Sequence, residues 1–209
     1  ESLTKKGNID VVLETVMTAN AELSWVGGNE VEHLQMVRRC EVKDLCDLAR
    51  TYDWGLYPEA VLGWVIAQKG IDLATVLSAF VNGDPMRFNY LGKRDVPAAH
   101  RGVCRLLDNI VLRVNSGFYL PDPAMELAQA KLMRTWMRYQ MEDAKAGRVG
   151  RWVFDVDMVA PTLVAAAEKQ IKATSGEGLE RRKDVMFERL RNTLRRVRPS
   201  EEAEHVLTS

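Results

Sequence analysis

Hydrophobic residues recur at helical spacing along most of the chain. Val42, Leu45, Leu48 and Ala49 share one helix face, and the same three-and-four spacing returns in every later segment. The alternation that is typical of strands is almost absent, and Trp152–Val156 is the only candidate extended piece. The pattern predicts an all-α fold, a single irregular or orthogonal bundle of about eight or nine helices.

Capping residues divide this pattern into individual helices. Asn29 with Glu32 three positions later is typical of a capping box, which predicts a helix from there to about Cys40. Asp72 can cap a helix over Leu73–Phe80. Glycines predict ends at Gly117 and Gly147. Further helices are predicted over 9–17, 41–52 and 179–198, and further starts at Pro58, at Asp95 with Pro97, at Asp122 with Pro123, and at Asp155 or Asp157.

Length and composition indicate one globular domain. The chain has 209 residues, of which 46% are hydrophobic, enough for a core that needs no disulfide or metal. We expect one helical domain over residues 1–198 and a polar, flexible tail over 199–209. No apolar run approaches the roughly 20 residues of a membrane span. The three cysteines lack paired spacing, which favours reduced thiols and a cytoplasmic location.

Residues 48–90 carry a pattern of packing residues. Tyr52 and Trp54 form a tyrosine-x-tryptophan pair, an apolar helix follows, and Asp72-x-x-Thr75 opens the next helix before an aromatic, a proline and Tyr90. This order resembles a small bacterial helical domain family of unknown function. The resemblance implies a helical bundle and brings no catalytic residue with it.

Metal binding is one possible role of two glutamate-x-x-histidine pairs, which are Glu30 with His33 and Glu202 with His205. Each pair puts a carboxylate and an imidazole on one helix face, as in di-iron bundles. The second pair has no apolar helix face behind it, and no lone glutamates complete the set. Two solvated helix ends are the favoured interpretation, so we expect no metal and no cofactor.

A basic group near the middle of the chain offers an alternative ligand site. His100 lies beside Arg101 and Arg105, and such a group could bind a phosphate, with Tyr119 as a further candidate. A helical enzyme or small-ligand-binding protein with a pocket here is the second hypothesis. No nucleophile elbow, phosphate-binding glycine loop or Cys-x-x-Cys motif accompanies the group, so no catalytic residue is predicted.

Charge is balanced overall but uneven along the chain. The formal net charge is zero, so no global field attracts nucleic acid or an anionic membrane. The predicted helix 179–198 is basic, which suits a solvated face, an acidic protein partner, or nucleic acid. Its candidate partner-binding residues are Arg181, Arg182, Arg189, Arg195 and Arg196.

These observations favour an interaction protein over an enzyme. Many aromatics occur without a convergent polar set, and aromatic residues dominate interface hot spots. We expect a non-enzymatic bacterial protein-interaction module, an adaptor, regulator or immunity-like protein, in which Tyr57, Arg87 and Phe88 face a partner protein. A nucleic-acid-associated protein acting through residues 179–198 is the third hypothesis.

Overall fold

The computed structural model describes residues 27–174. The predicted helices over 9–17 and 179–198, the five arginines of the second and the tail 199–209 lie outside these residues. The chain divides into two compact units, residues 1–40 and 41–209, which are considered separately here. The expectation of one domain over 1–198 stays a prediction.

The described part of the first unit holds helix α1, Glu30–Val37. Its start confirms the capping box: Asn29 Oδ1 accepts the Glu32 N–H at 3.1 Å, and Glu32 Oε2 accepts the Asn29 N–H at 2.9 Å. Each bond satisfies a backbone donor that a helix start leaves unpaired. The helix ends at Val37, three residues before the predicted end at Cys40, and two turn residues follow it.

The described part of the second unit is also helical. No strand occurs among residues 27–174, which contain seven α-helices in all, so the all-α prediction is confirmed there, while the count of eight or nine stays a prediction. The helices are α2 (Val42–Thr51), α3 (Pro58–Val65), α4 (Leu73–Asn82), α5 (Arg101–Asn115), α6 (Ala130–Lys145) and α7 (Val156–Thr174), with 3₁₀ turns at Pro85–Phe88 and Ala98–His100.

Helix α4 is the centre of the second unit. Eight of its ten residues are buried, and it packs against α2, α5 and α6. Phe80 is fully buried and meets Trp136, Phe154 and Trp152 edge to face, with ring centroids 5.1, 4.8 and 6.4 Å away. Edge-to-face pairs add to the stabilisation that burial of the rings provides.

The start of α4 and the glycine stops were predicted correctly, while α4 continues two residues past the predicted Phe80, to Asn82. Asp72 accepts the Thr75 N–H at 2.9 Å and the Thr75 hydroxyl at 2.5 Å. Gly117 and Gly147 follow α5 and α6 with φ of +71° and +67°, a backbone region that favours glycine. These positions are local, so the sequence alone could locate them.

Two predicted helix starts are wrong. After Pro97 the chain makes a 3₁₀ turn, and α5 begins only at Arg101. Asp122 accepts the Ala124 N–H at 2.8 Å, which closes a turn around Pro123, and α6 begins at Ala130. An aspartate that bonds to the backbone two residues onward can close a turn instead of capping a helix.

The predicted extended piece at Trp152–Val156 is not a strand. Trp152 and Phe154 are both buried, and α7 already begins at Val156. Pro161 therefore lies in the second turn of α7, beyond the first-turn position that a helix tolerates most easily. None of the described helices has the length and hydrophobicity needed to cross a membrane.

Phe80→Ala should destabilise the protein by about 3–5 kcal/mol, because it leaves a cavity among three aromatic rings. Urea unfolding followed by tryptophan fluorescence measures this loss. The control Leu132→Ala removes a half-exposed leucine of α6 and should cost less than about 1 kcal/mol. Equal losses for the two variants would contradict a core centred on Phe80.

Candidate partner-binding surface

The structure separates the three predicted surface anchors. Arg87 is exposed, and Tyr57 is partly buried at the residue before α3. Phe88 is only 4% exposed, so the expectation that its ring faces outward is wrong. The ring lies 5.1 Å from the His100 ring, and the Arg87 guanidinium covers it at 5.1 Å. Partner binding by these residues stays a prediction.

The predicted ligand group does not converge on one site. His100 precedes α5 and Tyr119 follows it, and a helix of 15 residues is about 22 Å long. Arg105 is paired with Glu59 through two bonds of 2.7 and 3.0 Å. The Tyr119 hydroxyl is buried and donates to the Ile66 carbonyl at 2.9 Å. Arg101 is the first residue of α5 and donates to the Val96 carbonyl at 3.2 Å. The four predicted residues therefore do not line a shared pocket.

A small cleft lies elsewhere, between the loop 121–127 and α7. Its volume is about 100 Å³, and most of its lining is proline, alanine, leucine and methionine. Thr162 Oγ1, which belongs to this lining, has no hydrogen-bond partner in the part of the chain that is described. Within that same part, no three His, Cys, Asp or Glu side chains come together as a metal site.

Exposed apolar side chains gather around a turn that follows α4. We call Met86, Tyr90, Leu91 and Val149 the apolar corner; their exposed fractions are 38%, 57%, 41% and 83%. The first three lie in and just after the 3₁₀ turn Pro85–Phe88, and Val149 lies in the loop after α6. These four side chains belong to two segments that are far apart in sequence.

Asn89 joins the two segments of the apolar corner. It is buried, its carbonyl accepts the Arg151 N–H at 2.8 Å, and its Oδ1 accepts the Trp152 N–H at 3.3 Å. Gly150 makes this approach possible, because a Cβ at that position would lie 2.5 Å from Asn89 Nδ2. A larger residue at this position would force the Asn89 side chain to shift.

Asp143 makes a second link across the corner. Its Oδ2 accepts the Tyr90 hydroxyl at 2.7 Å, and its Oδ1 accepts two N–H groups of Arg148 at 2.9 and 3.1 Å. The Arg148 N–H also donates to the Asp143 carbonyl at 2.9 Å, a bond that requires the left-handed Gly147. The bond from Tyr90, supported by Arg148, lowers the pKa of Asp143. The same bond to Asp143 raises the pKa of Tyr90.

Asp108, on α5, bonds to two residues of the loop that carries Val149. Arg151 donates to its two oxygens at 2.9 and 2.8 Å, and the Trp152 indole N–H donates at 2.8 Å. Burial by itself would raise the pKa of Asp108, but the bonds from Arg151 and Trp152 outweigh it and lower the pKa. The Asp108 carboxyl is therefore ionised at neutral pH.

Sequence reasoning missed most of this surface. Tyr90 was interpreted as a packing residue, and Asn89, Asp108 and Asp143 were not singled out. The Tyr90–Asp143 partners are 53 positions apart, so no local spacing reveals them. One local pattern could have indicated exposed apolar residues. At Leu91-Gly92 and at Val149-Gly150, an apolar residue that fits no helical spacing comes directly before a glycine.

Gly150→Ala should destabilise the protein by about 1–3 kcal/mol, because the added methyl group collides with Asn89. Neither Gly150 nor the control Gly27 has a positive φ, and no described residue lies within 4 Å of a Cβ added at Gly27. Gly27→Ala should therefore be close to neutral. Equal midpoints for the two variants in urea unfolding would contradict the Asn89 contact.

Lowering the pH should reduce the stability that Asp108 and Asp143 contribute. Because the pKa values of Asp108 and Asp143 are lower in the folded protein, their contribution is complete above the unfolded value, about pH 4, and is lost as pH falls further. Urea midpoints measured from about pH 6 to pH 3 test this. Asp108→Asn with Asp143→Asn should be less stable at neutral pH and show a shallower acid slope; an unchanged slope contradicts the assignment.

Comparisons with known proteins add no relative. No family model matches the chain, no curated protein matches it significantly, and no solved structure matches it significantly. The resemblance of residues 48–90 to a bacterial helical domain family therefore stays a prediction.

Proposed function

We propose that this chain is a non-enzymatic protein-interaction module, an adaptor or regulator, which binds another protein through the apolar corner. One observation carries the proposal: four apolar side chains are exposed on two segments that bonds of Asn89 and Asp143 tie together. Single exposed apolar residues are ordinary on protein surfaces, but gathered ones mark interaction sites.

The construction of the corner supports binding. Tyr90 is half-exposed, yet its hydroxyl is held by Asp143, so the ring has few orientations left to lose. Val149 sits between Arg148 and Gly150, and bonds to Asp143 and Asn89 hold the backbone on both sides of it. A surface that is ordered before binding loses less entropy when the partner arrives.

A cytoplasmic setting is part of the proposal. Cys40, Cys46 and Cys104 form no disulfide, and burial raises the pKa of the Cys46 and Cys104 thiols. Neutral, buried thiols behave as small apolar side chains, which suits a reducing compartment.

Site-specific photocrosslinking in the native host tests the proposal. A photoreactive phenylalanine analogue replaces Leu91 or Val149 in separate variants, and Leu132 of α6 or Leu112 of α5 in the controls. All four positions are at least 41% exposed, so none of the replacements disturbs the core. We expect a discrete protein adduct from Leu91 and Val149, detected by mass spectrometry, and none from Leu132 or Leu112.

A second variant links the adduct to the apolar corner. With the analogue at Met86, the double substitution Leu91→Ser and Val149→Ser should abolish the adduct. The free energy of unfolding should change by no more than about 1 kcal/mol, since both side chains are at the surface. Adducts that arise only from the control positions would contradict the proposal.

A further inference from the structure

We infer that the partner presents an acidic peptide segment in which a carboxylate lies beside a large apolar side chain. This inference rests on the proposed function and specifies the chemistry of the partner. Its starting point is Arg87, the one predicted anchor that is exposed next to the apolar corner.

Arg87 is held in place with its charge unmatched. The guanidinium lies over the Phe88 ring at 5.1 Å, and no acid lies within ion-pair distance of it among residues 27–174. Arg87 and Tyr90 are three residues apart and both exposed, at the 3₁₀ turn Pro85–Phe88 and just after it. A planar guanidinium fork offers two N–H groups to a carboxylate.

Two further cations extend this arrangement past Leu91. Lys93 and Arg94 are exposed and, within the described part of the chain, form no ion pair either. We call Arg87, Lys93 and Arg94 the basic rim. In sequence, the acids Asp84 and Asp95 flank this stretch, and Lys93 lies near enough to Asp108 to help lower the pKa of that carboxyl. Two other surface arginines are matched by acids, in the pairs Arg105–Glu59 and Arg138–Glu142.

The apolar corner favours a peptide over a nucleic acid. Single-stranded nucleic acid binds by stacking bases on aromatic rings beside cations. Here Tyr90 is the single aromatic member, and Met86, Leu91 and Val149 present aliphatic surface that bases do not need. An aliphatic surface next to arginine matches a segment in which leucine-like residues alternate with acids.

Selection from a random peptide library on the full-length protein tests the inference. Peptides that bind are re-measured by fluorescence anisotropy against Leu91→Ser/Val149→Ser, and those that lose affinity are kept as corner-dependent. We expect these to carry at least one acid next to a large apolar residue. We also expect them to bind Arg87→Gln about tenfold more weakly or worse, since a hydrogen bond to a charged group is lost.

Arg138→Gln is the matched control. Arg138 covers the Tyr139 ring at 5.7 Å, much as Arg87 covers Phe88, but it already faces Glu142. This variant should leave peptide affinity unchanged, and raising the salt concentration should weaken binding to the wild type more than to Arg87→Gln.

The outcomes separate the two proposals. Corner-dependent peptides that lack acids, or that bind Arg87→Gln as well as they bind the wild type, overturn the inference and leave the proposed function standing. A library that yields no corner-dependent peptide overturns both. A labelled single-stranded oligonucleotide that binds the corner more tightly than every selected peptide also overturns the inference.

Discussion

The burial of Phe80 against three aromatic rings is the constraint on which the rest of the second unit depends. Two of those rings, Trp152 and Phe154, belong to the loop between α6 and α7, so the core holds that loop in place. Val149 lies just before them and is 83% exposed. The buried residues Trp152 and Phe154 and the exposed Val149 are thus close in sequence. Burial of the two rings therefore restricts the position of Val149.

A loop held in this way must satisfy its backbone polar groups without a helix or a strand partner. Side-chain amides do so. Gln140 bonds to both the N–H and the carbonyl of Phe154, at 2.9 and 2.7 Å. Asn115 accepts the Asp155 N–H and donates to the Val153 carbonyl, at 2.8 and 2.9 Å. Asn89 accepts the Arg151 N–H with its backbone carbonyl and the Trp152 N–H with its side-chain Oδ1. Bonds from three distant residues replace a strand ladder, which explains why an extended, apolar piece forms no strand.

The sequence reveals the features whose causes are local. The cap at Asp72, the capping box at Asn29 and the glycine stops at Gly117 and Gly147 depend on residues within a turn of one another, and the structure has them all. The start of α6 was misplaced because Asp122 closes a turn, a choice that helix spacing does not decide. Phe88 is the last residue of the 3₁₀ turn Pro85–Phe88, and its ring is buried. The apolar corner depends on partners tens of residues apart, which no pattern along the chain records.

Hydrogen exchange at the Arg151 and Trp152 amides is the most direct test that the core orders the apolar corner. Both N–H groups donate to Asn89, outside any helix. If the corner is part of the folded core, these amides exchange as slowly as those of Leu77 and Phe80 in α4, because all of them open only in the same unfolding event. Exchange at the rate of an unstructured peptide, while the α4 amides stay protected, would contradict the account.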